Sequence, residues 1–133
     1  MKRLIGVAVC LFVLALGALG CGSPIVNAAK VADGASVIQA QAAPILKEKC
    51  VEPIATVSDA ELAKLREVCD PAIASYESLR VAHIALRSAL IAYDANRDGD
   101  ASRIVQTVLS LASDVGVAVV ALARVIETIT RKP

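Results

Sequence analysis

The chain has 133 residues, with 14 Lys and Arg against 13 Asp and Glu, and 56% of its residues are hydrophobic. This near-neutral balance leaves no basic field of the kind that recruits nucleic acid. Trp is absent and Phe occurs once, at Phe12, so stacking platforms for bases or sugars are scarce.

Lys2 and Arg3 open the chain, and Leu4 to Gly20 follows without a charge. A short positive start ahead of an apolar run has the form of an export signal. Gly17 and Gly20 weaken the end of that run as a helix. "ALGC", Ala18–Cys21, resembles the lipobox of bacterial lipoproteins, in which cleavage precedes the cysteine and the cysteine carries the lipid. Gly20 fits the motif; Ala18 departs from it, standing where Leu is usual. The resemblance covers only the signal and implies a thioether-linked diacylglycerol on Cys21, with palmitate-type chains and membrane anchoring. Gly22 is not the Asp that such lipoproteins use for inner-membrane retention, which favours the outer membrane in a diderm source. A competing small-residue site, "VNA" at Val26–Ala28, would instead release a soluble secreted protein beginning at Ala29. The expected organisation is a signal peptide over 1–20, a short tether over 21–25 and one helical domain over 26–133.

In the domain, Val31, Ala35, Ile38, Ala42 and Ile45 recur at steps of four and three, one face of a helix predicted over Val26 to Lys49. Pro44 lies inside it and removes an internal hydrogen bond. "CVEPIATV", Cys50–Val57, reads as a connection. "SDAE", Ser58–Glu61, is a capping box in which the serine and glutamate satisfy each other's backbone ends. It opens a helix predicted to split or kink at Asp70–Pro71, since Asp is a good N-cap and Pro suits a first turn. Ile73, Tyr76, Leu79, Leu86, Leu90 and Tyr93 form its apolar stripe, with His83 on the same stripe and expected to be hydrogen-bonded or half-exposed rather than catalytic.

"DANRDGD", Asp94–Asp100, resembles the first half of the EF-hand calcium loop, D-x-[DN]-x-[DN]-G. That resemblance implies weak Ca²⁺ ligation by Asp94, Asn96, Asp98, Asp100 and Ser102. Val105 stands where the loop needs its bidentate Glu. The alternative is a polar interhelical turn in which Gly99 supplies the tight conformation and Asp100 caps the next helix.

The last predicted helix spans Ala101 to Arg131. Ile104, Val108, Leu111, Val115, Ala118, Leu122, Val125 and Ile129 make a heptad seam. Val105, Leu109, Val119 and Ile126 widen it, which suits packing against more than one helix and leaves the 104–129 segment available to a protein partner or a second copy. Asp114, near its centre, argues against a membrane span, at a cost of about 2.5–3.5 kcal/mol.

Of four cysteines, Cys10 lies in the signal and Cys21 would take the lipid. Cys50 and Cys69 remain, an even pair for an oxidising compartment, so a disulfide is expected. With His83 the only histidine, a zinc site lacks ligands. The sequence thus predicts an all-α bundle of three main helices with one disulfide. The expected protein is a non-enzymatic anchored structural or interaction module, with a calcium-responsive binding protein as the alternative.

Overall fold

A computed structural model describes residues 23–96 and 101–131. Three long helices fill it: α1 (Pro24–Leu46), α2 (Asp59–Ala95) and α3 (Ser102–Arg131). No strand occurs among the described residues. The signal run, Cys21 and the middle of the 94–102 loop lie outside them.

α1 begins at Pro24, two residues ahead of its expected start, because proline's fixed φ and missing N–H suit the first turn. Pro44 sits within the helix, which then widens into a π-helical turn, Lys47–Val51, and a 3₁₀ turn, Glu52–Ala55. Ser58 starts α2: the Glu61 carboxylate accepts from the Ser58 backbone N–H at 3.0 Å and from its hydroxyl at 2.7 Å. These two bonds hold the Glu61 carboxyl below its ordinary pKa. Both segments read around Asp70–Pro71 belong to this one 37-residue helix, with Pro71 inside it. The acceptor that Pro71 leaves without an intrahelical partner, the carbonyl of Glu67, belongs to an exposed residue on the outer face, which solvent can reach.

α2 runs antiparallel to α1, as two cross-links at different heights show: Cys50 is bonded to Cys69, and Gln39 meets His83. The short connection after Ala95 turns α3 back alongside α2, so α1 and α3 run in the same direction. The core is aliphatic. Leu79, Leu86, Val108, Val115, Val119 and Leu122 are completely buried, and Ala35 and Ala72 lie where backbones approach closely. All four earlier members of the α1 stripe, Val31, Ala35, Ile38 and Ala42, are buried, with Ala28 and Leu46 extending the stripe at its two ends.

On α3 the seam is rotated from its expected centre. Val108, Val115, Leu122 and Ile129 are buried with Val119 and Ile126, whereas Ile104, Leu111, Ala118 and Val125 are half-buried. A helix wedged between two neighbours centres its buried arc between their two contact lines. Leu109, expected to widen the face, is instead 43% exposed.

The Cys50–Cys69 disulfide joins the π turn to the third turn of α2, with Cα atoms 5.5 Å apart. Both cysteines are buried. By the loop-entropy model a bridge of this span stabilises the fold by roughly 3 kcal/mol.

Candidate functional site: an apolar groove and a buried polar pair

A groove of about 830 Å³ runs between the first two turns of α1 and the middle of α3. Ala28 and Val31 line one side, and Ala112, Gly116 and Val120 line the other. Its walls stand apart because these residues are small: Gly116 contributes no side chain and the two alanines only a methyl. Asn27, Ser113 and Arg124 are its polar side chains, and Pro24, the first residue of α1, also lines it. Leu109 and Val117, the latter 69% exposed, border the opening. Farther along, the same helices close up, and around Ile38, Ile45, Leu122 and Ile126 only a cavity of about 20 Å³ is left.

A second apolar surface lies on the outer side of α2, where Val81, Ile84 and Ile91 are each more than half exposed. α3 is also long and apolar enough to cross a membrane, with a mean hydropathy of 1.9 over its most apolar 18 residues. Asp114 and Arg124 both lie on its exposed side.

His83 is the one buried polar or charged residue among those described, at 8% exposure. Its Nδ1 lies 3.2 Å from Gln39 Oε1, across the α1–α2 interface. The remaining polar atoms of the pair, His83 Nε2 and Gln39 Nε2, are buried without a hydrogen-bond partner. With the glutamine oxygen as acceptor, Nδ1 carries the proton and Nε2 turns a bare lone pair to the core. Protonation there would bury a charged donor with nothing to receive it. The His83 pKa is accordingly lowered, by burial first and by the nearby Arg87 second, with Asp33 opposing. A histidine so enclosed is a structural contact, in keeping with its place on the apolar stripe.

The expected ligand residues are placed as follows. Asp94 is in the last turn of α2, and Ser102 is the first residue of α3. Asn96 ends α2: its backbone N–H donates to the Tyr93 carbonyl at 3.1 Å and its side-chain amide to the Ala92 carbonyl at 2.7 Å. Asn96 thus satisfies carbonyls at the helix end. Asp98 and Asp100 lie outside the described residues. No group of three or more His, Cys, Asp or Glu side chains suited to a metal occurs among the described residues.

The groove had no motif to announce it. Its only sequence signal is the run of small residues Ala112, Ser113 and Gly116 beside the α3 seam, which alone says nothing of the distance to α1. Gln39 was equally silent, being one polar residue next to the stripe position Ile38.

No protein-family model, curated protein or solved structure matches this chain.

Proposed function

We propose that this protein is a non-enzymatic, exported lipoprotein, anchored to an envelope membrane through Cys21 and acting as a structural or protein-interaction module. The observation that carries this is the sequence itself: an uncharged apolar run stops at Gly20–Cys21 behind a basic start. Two features support it. The Cys50–Cys69 disulfide suits an oxidising, exported compartment. Cleavage at the competing site would cut after Ala28, which is 2% exposed within the core face of α1, and would strip the first turn from that helix. Cleavage before Cys21 leaves α1 whole.

The absence of enzyme chemistry from this reading rests on His83, which is buried, faces Gln39 and is held towards its neutral form. Exposed apolar residues on the outer side of α2 give an interaction module a surface to use.

The test is the intact mass of the full chain extracted from membranes of a bacterial host. Cleavage before Cys21 with added diacylglycerol and acyl mass is expected, and Cys21→Ser should abolish both and leave uncleaved precursor. A mature N-terminus at Ala29 would establish a soluble secreted protein in its place.

A further inference from the structure

Resting on the lipoprotein reading above, we propose that the α1–α3 groove is a cis-acting acyl site, holding a hydrocarbon chain carried by the protein's own Cys21. Position favours a lipid carried by Cys21. Pro24 lines the groove, and Cys21 lies two residues before Ser23, the first described residue, within roughly 7 Å of extended chain. A lipid on that cysteine therefore starts at the groove's mouth.

Shape favours it too. The lining of α3 from Leu109 to Arg124 extends over roughly 22 Å, with α1 facing it from Pro24 to Val31. A groove of about 830 Å³ with this long lining suits a methylene chain, whose width is set by carbon contacts on the order of 4 Å. The volume also falls within the roughly 300–1,000 Å³ typical of small-molecule sites.

The chemistry of the walls favours it as well. An extended peptide laid in this groove would bring backbone N–H and C=O groups that need partners. Along α3 and beyond the first turn of α1 the backbone groups are bonded within the helices, so over most of the groove the polar groups are the side chains of Asn27, Ser113 and Arg124. A hydrocarbon chain makes no such demand. It would cover Val117 and Leu109, the exposed apolar rim. Occupied in this way, the groove draws the bundle down onto its anchor and fixes which face meets the membrane.

The experiment uses the full chain in a bacterial host fed a fatty acid with a mid-chain diazirine, which the host's own lipidation machinery installs on Cys21. After irradiation of the membranes, peptide mapping locates the adducts. Insertion into this chain's own 24–31 and 109–124 segments is expected. Gly116→Leu, which fills the groove and exchanges glycine for a better helix former, should lower the yield several-fold. Val117→Gln, at a rim position with little packing to lose, should lower it too and serves if Gly116→Leu fails to fold. Val37→Gln, on an exposed site outside the groove, should leave the yield unchanged. If the protein is lipidated but its adducts lie only on bilayer lipid, or join two copies, the acyl site is overturned and the lipoprotein reading survives. If intact mass shows no lipid on Cys21, both fall together.

Discussion

Gln39 and His83 face each other across the α1–α2 interface, with Oε1 3.2 Å from Nδ1 and both distal nitrogens buried without a hydrogen-bond partner. The pair is one hydrogen bond set into an aliphatic core, and its pH dependence follows from which state can keep a proton. The folded-state pKa of His83 lies below 6.5, its ordinary value. Below that pH the unfolded chain protonates this histidine while the folded chain resists, so the unfolded state binds more protons and stability falls with acidification. Thermal melts from pH 8 to pH 5 should show the midpoint dropping as pH passes below 6.5. His83→Leu should flatten that part of the profile; an unchanged slope would mean that His83 is not the group responsible.

The same pair predicts an asymmetry between single and double substitutions. Gln39→Leu leaves His83 Nδ1 buried without its partner and should cost about 1–3 kcal/mol. Gln39→Leu with His83→Leu removes both polar groups and should recover most of the loss, because replacing both partners with apolar groups is close to neutral. Denaturant unfolding of the four-member cycle measures the coupling.

The Cys50–Cys69 bridge makes a prediction about the end of the bundle. Cys50→Ser with Cys69→Ser should lower stability by roughly 3 kcal/mol, and non-reducing peptide maps of the parent chain should recover the linked pair. The loss should appear first as increased hydrogen exchange in the Lys47–Ala55 turns and in the opening turns of α2. Those turns hold only Cys50 and Cys69 as buried residues.

Much of the fold was legible because its core positions obey helical periodicity. Val31, Ala35, Ile38 and Ala42 were readable at steps of four and three, and the capping glutamate Glu61 was readable from its spacing to Ser58. Two features were not. A heptad template assumes one partner, so it centred α3 on the Ile104–Leu111–Ala118–Val125 line as much as on Val108–Val115–Leu122–Ile129. The presence of two neighbours selected the latter together with Val119 and Ile126. Proline at position 71 left a split and a single kinked helix both open; an exposed site lets solvent serve the orphaned carbonyl, and one helix carries through. The groove was illegible for a third reason. It is a distance between helices, and no local pattern encodes that.

The contrast between buried and exposed positions on α3 predicts how substitutions there divide. Leu122 is completely buried, so Leu122→Ala should cost about 2–5 kcal/mol through lost contacts and the cavity left behind. In the chain without lipid, Val117, one and a half turns away and 69% exposed, should tolerate Val117→Ala within about 0.5 kcal/mol. Equal costs at the two sites in that chain would show that something other than an acyl chain covers Val117.

The 94–102 loop yields the last prediction. EF-hand affinity depends on carboxylate count and on a bidentate twelfth ligand. The Val105 side chain at that position offers no oxygen. Any ion held by Asp94 and its neighbours must complete its shell with water or with a carboxylate from elsewhere. Calorimetric titration should therefore give a Ca²⁺ dissociation constant at or beyond the weak extracellular range, about 10⁻⁴–10⁻³ M. Melts with and without chelator should coincide, because apolar packing of α2 against α3 closes this hairpin without a metal. Asp98→Asn should leave the melt unchanged for the same reason. A micromolar constant, or a midpoint that collapses in chelator, would make the loop a calcium site and move the protein towards a calcium-responsive binding role.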